Sequence, residues 1–406
     1  MPEKKRIFSR RDFIKRAGAA GIGSALIPFS ALSSIHGSPT TEASEQMTVP
    51  TRPFGKTGAN VSILSLGGVL KVSDQLIFRQ AFKMGVTYWD TADCYQRGSE
   101  RGIGKFLSRQ PDAREKLFIV SKSDARDPDG MTRLLDRSLD RMKTDYVDLY
   151  FVHGIYRIDE LDDRTKAWAE KAKAAGKIRF FGFSTHSNME ECLRQASRLG
   201  WIDCIMMTYN YRLMHEPRMR DAVEACYRAG IGLTAMKTQG GGPVKSDSES
   251  EIKMAGRFIQ KGFSDYQAKL MAVWQDERIA SICSQMPNLT IMATNAAAAV
   301  EQNRLSKSDH NLLAQYARET SGDYCAGCER LCSEVLPERV PIGDVMRCLM
   351  YFHSYQDYGL ARSTFEELPT RTRELLTQLD FTEAEKSCPR KLPIGQLMRE
   401  TKMLFV

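Results

Sequence analysis

The chain has 406 residues, 42% of them hydrophobic and 27% charged, enough to bury a full core and to hold one large domain beside a smaller one. Its net charge of +8 does not describe a nucleic-acid surface: residues 1–16 alone carry seven basic and two acidic side chains, and the remainder is evenly mixed. No basic stripe interleaved with aromatics occurs, so no nucleic-acid partner is expected.

At the N-terminus, Ser9-Arg10-Arg11-Asp12-Phe13-Ile14-Lys15 follows the twin-arginine pattern S-R-R-x-F-L-K, with Ile for Leu. Ala17 to Thr41 then runs without a formal charge but is too weakly apolar for a spanning helix. Residues 1–46 therefore read as a signal and linker, outside the folded domains. The expected consequences are recognition by the twin-arginine export machinery and a periplasmic or other extracytoplasmic location, with membrane association only if the signal stays uncleaved. A clean A-x-A site is missing, which leaves the cut within residues 31–46, and no cysteine precedes Cys94 for lipid attachment. The route carries folded proteins, often loaded with cofactor, so it favours a bound prosthetic group.

From about residue 60 to 300, short β-rich runs alternate with amphipathic helical stretches. The strands predicted are Val61–Leu66, Val86–Asp90, Leu117–Ser121, Val147–Val152, Phe180–Ser184, Cys204–Thr208, Gly232–Met236 and Ile279–Ser284. Helices follow them, such as Met131–Met142, with one apolar face, and Arg164–Ala175, which stops at Gly176. Eight such units fit a (β/α)8 TIM barrel over residues 47–305, and no G-x-G-x-x-G follows the first strand to suggest a Rossmann domain.

Functional side chains in such barrels sit at the C-terminal ends of strands. There the sequence offers Asp90, Tyr95, Lys122 and His153. A phenol with a pKa of about 10 is a reluctant acid, which a nearby ammonium would help by stabilising the phenolate. A carboxylate would hold that ammonium in place, and a histidine could hydrogen-bond a substrate carbonyl.

These residues lie in segments that resemble the aldo-keto reductase family. Thr87-Tyr88-Trp89-Asp90-Thr91-Ala92-Asp93-Cys94-Tyr95 with Ser99-Glu100 is similar to its signature around the catalytic Asp and Tyr. Phe118–Lys122 resembles its lysine strand, Leu139–Tyr150 leading to His153 its passage to the catalytic histidine, and Phe54–Gly58 its opening hairpin. The resemblance covers roughly residues 51–303. It implies that Tyr95 donates the proton, His153 orients the carbonyl, and Asp90 and Lys122 tune the tyrosine.

The same resemblance implies a nicotinamide site, NADP or NAD, on Ser184, Tyr209, Ser284 and Asn295. Tyr209 would stack on the nicotinamide ring, and Ser284 and Asn295 would stand by the adenosine phosphate. Thr185 replaces the family's usual amide, Met206 stands where a glutamine is usual, and no basic residue lies between Arg278 and Arg304 to meet a 2′-phosphate. Lys237 opens the glycine-rich loop Gly240-Gly241-Gly242, which reads either as a backbone cradle for a cofactor phosphate or as a flexible barrel loop.

Residues 306–406 read as a small, mainly α-helical domain. Cys325-x2-Cys328-x3-Cys332 with a remote Cys388-Pro389 resembles bacterial ferredoxin sequences and implies a [4Fe–4S] cluster, with a four-cysteine zinc site and disulfides as rivals. Cys348, in a helical stretch over Ile342–Tyr358, reads as core. The function expected is an exported oxidoreductase acting on a small carbonyl or alcohol, with a possible redox partner protein. The rival is a cofactor-free electron-transfer or binding protein on a repurposed barrel.

Overall fold

The structure is a computed structural model that describes residues 48–406 apart from 69, 70, 72, 96, 246 and 247. The expected export signal and linker at 1–46 lie outside the described residues.

Eight parallel strands close into a barrel: β1 Leu64–Leu66, β2 Tyr88–Asp90, β3 Phe118–Ser123, β4 Val147–Val152, β5 Ile178–Thr185, β6 Cys204–Thr208, β7 Gly232–Met236 and β8 Ser281–Ser284. The order follows the chain, with β8 pairing β1. Every residue of β4 is buried, because a parallel strand meets the barrel interior on one face and helices on the other. Its Asp148 is satisfied by Arg114 at 2.9 Å, Arg179 at 2.6 Å and the Ile119 amide at 2.8 Å.

The run predicted as one strand over Val61–Leu66 divides at Ile63. Ser62 causes the break: its hydroxyl accepts the Thr87 and Tyr88 amides and donates to the Leu64 carbonyl. Upstream of it, Thr51–Pro53 and Asn60–Ser62 pair as an antiparallel hairpin. Phe54, between those strands, is fully buried with its ring against Phe118 and Tyr88. This seals the barrel at the end opposite the β-strand C-termini.

The predicted helices start earlier than their apolar faces do. Pro128–Met142 (α3, after Gln75–Lys83, α1, and Ser99–Leu107, α2) begins where the Asp127 carboxylate accepts the Gly130 amide at 2.8 Å. Asp163–Ala174 (α4) is capped by Asp162 and ends at Gly176, whose φ of +69° suits a residue without Cβ. Met189–Ala196 (α5), Pro217–Arg228 (α6), Glu249–Gln260 (α7), Asp265–Trp274 (α8) and Leu289–Glu301 (α9) continue the ring.

Lys307–Glu319 (α10) lies past the expected domain boundary at 305, yet it gives Leu313, Tyr316 and Ala317 to the barrel's core. A separate core is built from Glu329–Ser333 (α11), Ile342–His353 (α12), Tyr358–Glu366 (α13), Thr370–Leu375 (α14), Thr382–Ser387 (α15) and Ile394–Phe405 (α16). Cys348 sits in that core, fully buried, with its thiol donating to the Asp344 carbonyl.

Candidate active site and cysteine centre

The C-terminal ends of β2, β3 and β4 bring the four predicted residues together. Lys122 Nζ stands 2.7 Å from Asp90 Oδ1, 2.8 Å from the Thr91 carbonyl and 3.3 Å from the Tyr95 hydroxyl. Lysine and aspartate are 2% and 3% exposed, so the ammonium is fixed by the carboxylate beneath the phenol. The Tyr95 and His153 rings meet edge to face, 6.0 Å between centroids.

Burial pushes the Tyr95 phenol well above its ordinary range, and the charge of Asp90 adds to this. Burial therefore outweighs the lowering expected from Lys122 in the resting protein, and the phenol stays protonated. Burial, aided by Lys122, also holds His153 below its ordinary value against the opposing pull of Asp124.

These groups open into a cleft of about 1530 Å³. Ser184 lines it, though its hydroxyl accepts the Gly154 amide at 3.0 Å. Ser284 lines it as well and accepts from Asn295 at 3.2 Å, so Asn295 acts through the serine. Gln285, Pro287 and Ile291, at the start of α9, continue that wall.

Two cofactor candidates are placed otherwise than expected. Tyr209 is fully buried and donates to Asp276 at 2.6 Å, in the layer between strands and helices, because strand periodicity of two turns 205, 207 and 209 outward while Met206 points into the barrel. Lys237 lines the cleft but donates to the Tyr351 hydroxyl of α12 at 2.8 Å. The glycine loop that follows it approaches protein rather than leaving a cradle. The Gly242 amide and carbonyl both bond Ser354, at 3.1 and 2.7 Å, and a Cβ on Gly242 would fall 1.9 Å from the Asp323 carbonyl.

The C-terminal helices thus roof the cleft. Arg97 pairs with Asp357 at 2.9 Å, Tyr156 bonds Asp344, and Arg347 and Tyr355 line the cavity. Nothing in the sequence marked these residues. Asp124, by contrast, follows Lys122 by two positions and could have been found by the same strand-end rule. Its carboxylate lies 2.7 Å from His153 Nδ1, and Cys94 Sγ lies 3.5 Å from that nitrogen.

The four predicted ligands Cys325, Cys328, Cys332 and Cys388 line one small cavity of about 20 Å³, beside Pro389 and Met346. All ten cysteines are free thiols. Among the described residues, Cys94, Asp124 and His153 form the one group of three donors lying within 4.8 Å of one another. Four thiols lining one cavity are a donor set of the kind that holds an iron–sulfur cluster or a zinc ion. A cavity of about 40 Å³, walled by Cys325, Tyr324, His186, Lys237 and Arg347, adjoins both this centre and the catalytic cleft.

Comparison with known proteins agrees with the barrel. The model of the Aldo/keto reductase family matches residues 66–292. The chain is 31% identical over 151 residues to the uncharacterized oxidoreductase YqkF of Bacillus subtilis, covering 33% of this chain and 48% of that protein. It is 28% identical over 212 residues to the aldo-keto reductase yakc (NADP(+)) of Schizosaccharomyces pombe, covering 48% and 59%. The chain thus spans about half the length of these two relatives. Against L-galactose dehydrogenase of Arabidopsis thaliana it is 24% identical over 297 residues, covering 65% and 92%. Among solved structures, aldo-keto reductase AKR11C1 from Bacillus halodurans in its holo form superposes with a TM-score of 0.55 at 20% identity, covering 69% and 98%. An aldo-keto reductase from Klebsiella pneumoniae in complex with NADPH does so with 0.55 at 21%, covering 67% and 96%; both likenesses concern the fold. With the family match extending over more than half its length, the chain belongs to the aldo/keto reductase family.

Proposed function

We propose that this chain is an exported oxidoreductase that moves hydride between a bound nicotinamide cofactor and a small carbonyl or alcohol, and that its four-cysteine centre holds a [4Fe–4S] cluster. The observation that carries the reading is the buried ammonium of Lys122, fixed between Asp90 Oδ1 at 2.7 Å and the Tyr95 hydroxyl at 3.3 Å at the foot of an open cleft. A buried ion pair costs more in desolvation than a pair of apolar residues would, so its use beside a phenol points to proton chemistry.

A nicotinamide dinucleotide, when bound, gives or takes the hydride. Ser184 and Ser284 with the start of α9 are the cleft residues that suit it, and NADP is named for the yeast relative and seen in the Klebsiella structure. Tyr95 holds a proton at the substrate oxygen, and Lys122 stabilises the phenolate left when that proton moves. Asp90 keeps the ammonium charged and aimed. Residues of α12 and α13 line the far wall of the cleft that holds this proton path. Cys325, Cys328, Cys332 and Cys388 would hold the cluster, which supplies electron transfer or braces the roof, with a redox partner protein if it transfers electrons. The signal at Arg10-Arg11 supports export by the twin-arginine machinery, with the chain carrying its cofactors through in the folded state.

The second reading, a cofactor-free electron-transfer or binding protein, draws on Tyr209 bonded to Asp276 and Lys237 bonded to Tyr351. Anaerobic purification, with measurement of iron and of released nucleotide, separates the two. About four irons per chain with bound NAD(P) is the expected result. Iron without nucleotide, together with no binding of added NADPH, would favour the second reading, and zinc without iron would overturn the cluster.

A further inference from the structure

Arg97, two residues after Tyr95, and Tyr156, three after His153, both reach from the barrel loops to the C-terminal helices. Arg97 Nη2 donates to Asp357 Oδ1 at 2.9 Å and to Oδ2 at 3.1 Å. Tyr156 donates to Asp344, whose other carboxylate oxygen pairs with Arg347 at 2.7 Å. The end of α13 faces the same corner: burial raises the Glu367 carboxyl, and the charge of Asp124 adds to this. Residues 344–367 therefore border the catalytic corner, and a substrate at Tyr95 lies against them.

Their surface is polar and aromatic. Among the described residues, Leu360 is the one aliphatic side chain that 344–367 turn to the cleft. An apolar substrate would strip water from these groups and give nothing back, at about 1–3 kcal/mol for each group left unpaired. An anion fares no better, because Arg97 and Arg347 are each already paired with a carboxylate. What the pairs do offer is donors and acceptors side by side. Arg97 and Asp357 both keep part of their surface open, which leaves guanidinium N–H groups and carboxylate lone pairs for neighbouring hydroxyls. The Tyr351 and Tyr355 rings, 5.9 Å between centroids, add flat faces for the C–H side of a hydroxylated chain or ring. The cleft of about 1530 Å³ exceeds the roughly 300–1,000 Å³ of a site for one small ligand, so such a body has room beside a dinucleotide.

We propose that the substrate is a neutral, polyhydroxylated molecule, a sugar or sugar alcohol, and that Arg97 and Asp357 select it by bonding hydroxyls away from the reacting carbon. This rests on the reading of Tyr95 as the group at the substrate oxygen and leaves the reaction unchanged. The carbonyl carbon takes hydride from the reduced nicotinamide, its oxygen takes the Tyr95 proton, and the phenolate is left beside Lys122. The C-terminal helices thus supply the specificity wall of the cleft, while the barrel supplies the chemistry.

The test compares D-erythrose with butanal, four-carbon aldehydes that differ by three hydroxyls, using NADPH and the anaerobically purified full chain. The expected kcat/KM for erythrose exceeds that for butanal about 100-fold or more. Arg97→Leu with Asp357→Leu removes both charges together, so neither is left buried alone. In that double variant the two aldehydes come within about tenfold of each other, a ratio that a merely structural loss would not move. Butanal turned over as well as erythrose by the wild type, or glyoxylate turned over better than either, would overturn the proposal. Saturation-transfer NMR on the NADPH-loaded protein reads binding without turnover: erythritol is expected to bind and 1-butanol not. If neither aldehyde reacts yet erythritol binds, the hydride-transfer reading fails and the substrate class stands. If neither aldehyde reacts and erythritol does not bind, the substrate class fails.

Discussion

Lys237 Nζ donates to the Tyr351 hydroxyl at 2.8 Å, tying the end of β7 to helix α12 across the rim of the cleft. The ammonium also stands 4.8 Å from the centre of the Tyr351 ring, so its charge is engaged from two directions. With Lys237 committed to protein, and no basic residue between Arg278 and Arg304, a 2′-phosphate finds no strong partner beside Ser284. NADH and NADPH are therefore expected to bind within about tenfold of each other, a difference below about 1.4 kcal/mol. Fluorescence titration with both cofactors checks this, and a preference for NADPH of about a hundredfold would show that another cation in the cleft takes the phosphate.

Tyr95→Phe and Lys122→Met separate chemistry from stability. The phenylalanine keeps the ring and removes only the hydroxyl, so the variant is expected to unfold like the wild type while kcat falls about 100-fold or more. Lys122→Met leaves the Asp90 carboxylate buried without its partner, which costs about 3–5 kcal/mol. Adding Asp90→Asn to Lys122→Met should recover much of that stability and none of the turnover. Chemical denaturation with turnover on each variant reads both. Equal stability losses in Lys122→Met and the double variant would show that the pair is not the source.

The strands over Val147–Val152, Cys204–Thr208 and Gly232–Met236 were legible to the residue, because parallel barrel strands are buried on both faces and end where polar loop residues begin. The first strand was not, since the Ser62 hydroxyl bonds that split it depend on amides more than twenty residues away. Asp90, Lys122 and His153 were legible because the barrel places strand ends at one rim. Tyr209 was misread at the same rim: position along a strand does not say which face a residue takes, and the parity that Cys204 and Met206 set by pointing inward sends it to Asp276. The roof could not be read at all. Contacts such as Arg97 with Asp357 join segments 260 residues apart, and neither residue carries a local pattern that announces its partner.

Gly242 is one point at which the roof meets the barrel. A methyl group there would overlap the Asp323 carbonyl, a backbone atom that cannot rotate away, and would part Gly242 from Ser354. Gly242→Ala is expected to cost about 1–3 kcal/mol and to open the segment after residue 323 to protease. Gly256→Ala, at a helical position with open space around it, should leave both unchanged. Thermal unfolding with limited proteolysis distinguishes the two variants. A Gly242→Ala protein as resistant as the wild type would mean that the loop yields without undocking the helices.

His186 gives the pH dependence a definite sign. Burial holds it well below its ordinary value, with the charges of Lys237 and Arg347 adding to the effect, and its Nδ1 lies 3.1 Å from the Thr208 hydroxyl. In the unfolded chain the same ring titrates near its usual value of about 6.5. Below that pH the unfolded state binds the extra proton and the folded state does not, so stability rises with pH across the window. It is complete above about pH 7 and is lost progressively as pH falls from about 6.5 toward the depressed folded value. His153 shifts in the same direction through burial and Lys122, but the Asp124 bond opposes it, so His186 should dominate. His186→Gln cannot take up that proton. Its melting temperature should fall less than the wild type's between about pH 7.5 and 5.5, by about 2 °C. Parallel falls in the two proteins would place the acid sensitivity on other groups and show that His186 takes up its proton in the folded state as readily as in the unfolded one.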